Sequence, residues 1–221
     1  MPDIEDLLTE IRACRLCAQH LPLVPRPVLR ASATAKLVIV GQAPGTKVHE
    51  SGIPWNDASG ERLRDWLEMT PEVFYDEARV AIVPMGFCYP GRDEKGGDNP
   101  PRPECAPEWH QKLLNFIPDV KLTLLVGLYA QKHYLGPAGK STMTETVRAW
   151  RECLPLFLPT PHPSWRTTGW LKKNPWLEAE VVPEMRQRVR RLVRKFIHFF
   201  NNFLTISRKI RDSVSNSRSF N

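Results

Sequence analysis

The chain has 221 residues, 42% hydrophobic and 25% charged, a balance that places it in the soluble globular class with one domain and a short appendage. No opening apolar segment leads to a small-residue cleavage site, and no run nears the roughly 18 apolar residues that a span needs, so no membrane association and a cytoplasmic location are expected. The net charge of +7 is uneven: Arg186 to Asn221 holds ten Lys and Arg against one Asp, leaving the preceding 185 residues at −2, so any affinity for polyanions concentrates in the tail and in local patches.

Ile4, Leu7, Leu8 and Ile11 keep helical spacing and lead into Cys14-Arg-Leu-Cys17, followed by a proline-rich loop from Leu21 to Pro27. Leu37 to Val40 is a β-branched apolar run that stops at Gly41-Gln42-Ala43-Pro44-Gly45. This reads as a buried parallel strand ending in a tight loop, where backbone amides approach a ligand without side chains in the way. In an open α/β sheet ligands sit at such ends. A helix is expected from Gly60 to about Met69, with Leu63, Trp66 and Leu67 inward, and a second strand over Arg79 to Val83. The stretch from Pro84 to Pro103 reads as an irregular functional loop, too polar and broken for core. A helix carrying Trp109, Leu113, Leu114 and Phe116 precedes a third strand, Lys121 to Val126, which closes on Gly127. Short helices follow over Tyr129 to Leu135 and Ser141 to Trp150, the latter with Ser141-x-x-Thr144 as a partial cap. Leu154 to Leu158 makes a fourth strand running into Thr160-Pro-His162-Pro-Ser164-Trp-Arg166. The fold expected is an α/β three-layer sandwich with a four-stranded parallel sheet flanked by helices.

Five cysteines, an odd number, argue against a secreted disulfide frame. Two residues separate Cys14 from Cys17, seventy separate Cys17 from Cys88, and sixteen separate Cys88 from Cys105. A lone Cys-x-x-Cys fits zinc, a redox pair or neither, but two more cysteines bracketing the long loop make four soft ligands. Such a set suits an Fe–S cluster or structural zinc, which spacing does not separate. Cys153 is left over as an apolar filler.

The sequences Gly41 to Gly45, Gly52-x-Pro54-Trp55, Gly60-x-x-Leu63 and His162-Pro163-Ser164, with the cysteine frame, resemble the uracil-DNA glycosylase superfamily over roughly residues 5 to 195. The resemblance is greatest to the branch that carries a four-cysteine [4Fe–4S] cluster. It implies hydrolysis of the bond between a deaminated base and deoxyribose in DNA, by a monomer, with a structural cluster on Cys14, Cys17, Cys88 and Cys105. It also implies that His162 faces the base carbonyl oxygen, that the Gln42 to Gly45 loop, with Ala43 and Gly45, lines the base pocket, and that Trp55 stacks on the flipped base. Ser164, Trp165 and Arg166 then belong to the loop that enters the minor groove. Taken singly, His162 reads as a loop histidine, Trp55 as core and Arg166 as solvated surface.

Four positions depart from that branch. Gln42 stands where it has Glu, Val48 and His49 replace an acidic pair, and Pro84 stands where an Asn reads the Watson–Crick edge of uracil. Gln42 can neither act as a base nor hold negative charge, so hydrolysis suffers and uracil specificity weakens. His49 or Glu50 is then a candidate base for the water. A catalytically impaired nucleic-acid-binding module of the same fold is the alternative function, and a zinc-stabilised domain unrelated to repair is a third reading. From Val189 to Leu204 apolar residues at helical spacing alternate with Arg and Lys, a basic amphipathic helix that completes the domain to about 196 and touches phosphates. The alternatives for it are an anionic membrane surface or an atypical terminus. The domain is therefore set at 1–195 and a basic tail at 196–221, its last part, from Ser207, expected to be disordered.

Overall fold

A computed structural model describes residues 3–94 and 96–193. The tail at 196–221, with its expected helix and disorder, lies outside the described residues. Four short strands, β1 (Leu37–Val40), β2 (Val80–Ile82), β3 (Leu122–Val126) and β4 (Phe157–Thr160), form one sheet in the order β2-β1-β3-β4, and every pair is parallel. A parallel sheet needs crossovers and is buried on both faces, which is why its strands are unbroken apolar runs.

Alternation along the strands divides the core in two. Val38, Val40, Ala81 and Leu125 face one side and pack with Leu7, Leu8 and Ile11 of α1 (Ile4–Ala13), Trp109 and Leu113 of α5 (Cys105–Asn115), and Ala130 of α6 (Leu128–Leu135). Leu37, Ile39, Ile82, Leu124 and Leu158 face the other. They meet Leu63 and Trp66 of α3 (Ala58–Leu67), Phe74 of α4 (Pro71–Phe74), Val147 of α7 (Met143–Arg148), Trp150 of α8 (Trp150–Cys153) and Met185 of α10 (Val182–Val193). Helix, sheet and helix form three layers. Arg186 of α10 donates to the main-chain carbonyls of Asp65 (3.0 Å) and Trp66 (3.1 Å), so the start of the basic amphipathic segment docks on α3.

The boundaries differ from the sequence reading where caps or prolines decide them. Asp57, not Gly60, opens α3, because its Oδ1 accepts from the Gly60 N–H at 2.8 Å. The expected helix over Ser141 to Trp150 breaks into α7 and α8, and the cap is a full box of Thr142 and Glu145, one residue later than expected. Strand β4 starts at Phe157, paired with Thr123, rather than at Leu154, since Pro155 has no N–H to offer a ladder. Two helices had no apolar stripe to announce them: α2 (Thr46–Ser51) buries Val48, and α9 (Thr168–Lys173) buries nothing. The loop from Pro84 to Pro103 is also corrected. Its opening part is core, with Met85 and Phe87 buried, because the Met85 and Gly86 N–H groups bond the Gly41 and Gln42 carbonyls and prolong the β1–β2 pairing.

Leu124 is fully buried in β3, which pairs with a strand on each side. Its replacement, Leu124→Ala, is expected to lower unfolding free energy by about 2–5 kcal/mol in urea titration.

Candidate active site

At the carboxyl ends of β1, β2 and β4 the chain leaves a cleft of about 340 Å³, within the range of small-molecule sites. Its back is the loop after β1, with Gln42, Ala43 and Gly45 on the lining; Trp55 and His162 form one wall. Trp55 sits at φ +58°, a left-handed conformation that a bulky residue adopts only when its surroundings hold it there. The holders are identifiable. The Tyr75 hydroxyl and Arg64 guanidinium each reach the Trp55 carbonyl at 3.4 Å. Glycine is required at two contacts: a Cβ on Gly41 would stand 2.8 Å from the indole, and one on Gly60 would stand 1.8 Å from the Trp55 carbonyl oxygen.

The imidazole of His162 stacks on the indole of Trp55, centroids 5.4 Å apart and 28° between planes. Burial holds the histidine below its ordinary pKa, while the negative charges of Asp57 and then Asp98 pull the other way, so the ring is neutral at neutral pH. The Thr167 hydroxyl bonds the His162 carbonyl at 2.5 Å and the Arg62 guanidinium bonds the Ser164 carbonyl at 2.9 Å, fixing the turn. At the mouth, Ser164, Trp165 and Arg166 lie on the lining; Trp165 is 76% exposed, and Arg166 rests over it and reaches the Gly96 carbonyl at 3.3 Å.

A model of the uracil DNA glycosylase superfamily matches residues 30–186, well over half of the chain and inclusive of Gln42, Trp55, Asp57, Pro84, His162 and Arg166 of this cleft. The chain belongs to the uracil DNA glycosylase superfamily. Within that superfamily fold the sequence-derived residues Gln42, Ala43, Gly45, Trp55, His162, Ser164, Trp165 and Arg166 are all brought to one cleft. His49 is not among its lining residues. It lies on α2 with its ring 5.9 Å from that of Tyr89, its Nδ1 buried without a partner among the described residues, and its carbonyl held by Arg26 at 2.6 Å.

Two positions on the cleft, Gln42 and Pro84, are fixed by hydrogen bonds to residues that do not line it. Gln42 Nε2 donates to the Asn99 carbonyl at 3.0 Å, which fixes the amide's orientation, since a carbonyl only accepts. Pro84 lines the cleft without an N–H, and its carbonyl is bound from behind by Nε2 of buried His110 at 3.0 Å. His110 is kept neutral, its pKa pushed down to about 4 by burial, and its Nδ1 faces the Tyr134 hydroxyl at 2.7 Å. With Nε2 bearing the proton, Nδ1 accepts from the tyrosine. Pro84 therefore offers the cleft no hydrogen-bond donor.

The sequence reading missed Asp57. Its carboxylate caps α3 and also lines the cleft, and a capping Asp three residues ahead of a helix-opening Gly beside Trp55 was the signal available.

Cys14, Cys17, Cys88 and Cys105 line a second, small cavity, walled by Leu16, Leu21, Pro25, Pro27, Phe87 and Trp109. Burial pushes Cys88 up to about 11 and Cys105 up to about 12, so both are neutral thiols unless a cation replaces the proton. The Phe87 N–H points at Cys105 Sγ, 3.3 Å away, and the Trp109 indole nitrogen is buried with no acceptor among the described residues. Among the described residues no three His, Cys, Asp or Glu side chains converge on a single-ion site.

Replacing Gln42 by Glu sets a carboxylate oxygen against the Asn99 carbonyl, which raises that carboxyl's folded-state pKa. Such a group adds stability below its unfolded value and loses it as pH rises through the folded value. Gln42→Glu is therefore expected to match wild type near pH 4 and to fall below it by about 1–3 kcal/mol at pH 8 in paired denaturant titrations.

Proposed function

We propose that this chain is a DNA N-glycosylase that hydrolyses the bond joining a flipped, deaminated or damaged base, uracil or a relative of it, to deoxyribose. The observation that carries the reading is the convergence of Trp55 and His162 on one cleft at the carboxyl edge of the sheet. A base in a duplex is out of reach, so it must be extruded, at a cost of a few kcal/mol that is least for a mispaired base. The two rings touch each other, so the base enters beside them and lies on the open part of the indole. Bond cleavage puts negative charge on the departing base and positive charge on the sugar. A neutral imidazole N–H donates to the base oxygen without a prior buried cation, and amides of the 42–45 loop add to the same field.

Gln42 brings no negative charge to the sugar. Asp57 supplies it instead: it lines the cleft, its Oδ1 is clamped by Gly60, and it weighs on His162 more than any other carboxylate. Trp165 is the apolar wedge for the vacated stack, and Arg166 exchanges the Gly96 carbonyl for a phosphate. The protein works on DNA as a monomer in the cytoplasm; among the described residues no helix is long and apolar enough to cross a membrane.

The spacing of the four cysteines supports a reading of the chain as one of the iron–sulfur branch. Cys14, Cys17, Cys88 and Cys105 would hold a [4Fe–4S] cluster, for which the apolar cavity, the N–H at Cys105 Sγ and the acceptor-less indole of Trp109 are suited. Structural zinc is the alternative. When bound, the cluster supplies cross-linking of α1 to the loop after β2, not chemistry at the base.

One observation favours a second reading, a base-binding module that has lost the reaction. The silent wall at Pro84 gives a buried base edge no partner. Excision from duplexes carrying uracil, hypoxanthine or xanthine separates the two, since lesion binding without product at protein excess supports the module. For the enzyme, His162→Ala is expected to slow single-turnover excision by about 10²–10³-fold. Asp57→Asn, which keeps the cap, is expected to slow it by about 10²-fold at nearly unchanged stability. Anaerobically purified protein is expected to be brown, with iron and acid-labile sulfide in equal amounts, and Cys88→Ser to lose both colour and melting temperature. Colourless protein containing zinc supports the alternative.

A further inference from the structure

Behind the turn that carries His162, one buried amide ties two strands together. Gln131 of α6 is 2% exposed, and its Nε2 donates to the Thr160 carbonyl at 2.9 Å and to the Leu125 carbonyl at 3.4 Å. Leu125 and Thr160 belong to the neighbouring strands β3 and β4, near their carboxyl ends. Both carbonyls only accept, so the surroundings fix which way the amide points. The Thr160 carbonyl also accepts from the Gly127 N–H at 2.9 Å, which uses both of its lone pairs. His162 stands two residues on. Gly127, at φ +88°, backs it so closely that an added Cβ would lie 3.5 Å from the His162 Cβ.

The amide is not at 131 for stability alone. Its Oε1 is buried with no partner among the described residues, as is the Thr160 hydroxyl oxygen. An orphaned buried polar atom is unfavourable, and an apolar side chain of the same length would avoid it. What an apolar side chain cannot do is hold a carbonyl in place.

We propose that Gln131 is a positioning residue for base excision, fixing through the Thr160 carbonyl the entry to the 160–164 turn and so the imidazole of His162 against Trp55. The proposal rests on the function given above, in which His162 contacts the departing base. No other charged or titratable group is needed for it, and Gln131 never touches the substrate.

The test is a double-mutant cycle in the full chain, with Gln131→Met, His162→Ala and the pair, read by single-turnover excision from the lesion duplex that the wild-type protein cleaves. Gln131→Met keeps length and volume and removes both donors. It is expected to slow excision about 10-fold in the wild-type background and to add nothing once His162 is absent, because its route ends there. Equal slowing in both backgrounds overturns the proposal, as does an unchanged rate in folded Gln131→Met. If the methionine variant does not fold, Gln131→Asn, one methylene shorter, withdraws the same donor and takes its place in the cycle. A second readout needs no catalysis. In imidazole 15N NMR, the His162 resonances are expected to shift in the Gln131 variant while those of the other five histidines stay in place; coincident His162 signals overturn the clamp. Wild-type excision by His162→Ala removes the function assigned to that histidine, a result distinct from failure of the clamp.

Discussion

The indole of Trp55 and the two glycines that admit it govern the cleft. The ring lies where a Cβ on Gly41 would collide with it, and its carbonyl lies where a Cβ on Gly60 would collide, so loop, aromatic and helix start are fitted to one another within van der Waals distance. A left-handed residue with a large side chain is strained by about 1–3 kcal/mol, offset here by Tyr75 and Arg64 at the carbonyl and by His162 on the ring face. The separated motifs of the sequence are thus three sides of a single packing problem.

Much of this was legible from the residues. The apolar strands, the glycine loop and the histidine after the last strand all carry their physics in short runs, and the family resemblance joined them correctly. What stayed hidden depends on contacts distant in the chain. Met85 and Phe87 sit in a segment whose Gly and Pro content marks it as loop, yet backbone bonds to Gly41 and Gln42 draw them into the core. His49, a candidate by sequence proximity, is turned toward Tyr89 by a helix too short to show a pattern. Asp57 reads as a helix cap and is one, and only three-dimensional packing adds that the same carboxylate looks into the cleft.

The cleft's electrostatics follow from these placements. Carboxylate charge enters from the helix cap at 57 rather than from the loop at 42, where the Asn99 carbonyl favours an amide. Neutral histidines stand on two of the cleft's sides, His162 inside and His110 behind Pro84, and burial is the main cause of neutrality in both. Water exclusion and dipole orientation, more than formal charge, set the field there.

Helix α3 is pinned at its two ends by unrelated parts of the chain. Its amino end holds the Asp57 cap and meets Trp55, and its last carbonyls are gripped by Arg186 of α10. Ten residues of α-helix make a stiff strut about 15 Å long. Helix α10 therefore acts as a distant footing for the Asp57 carboxylate, and the alignment of that group is decided partly at the opposite end of the strut.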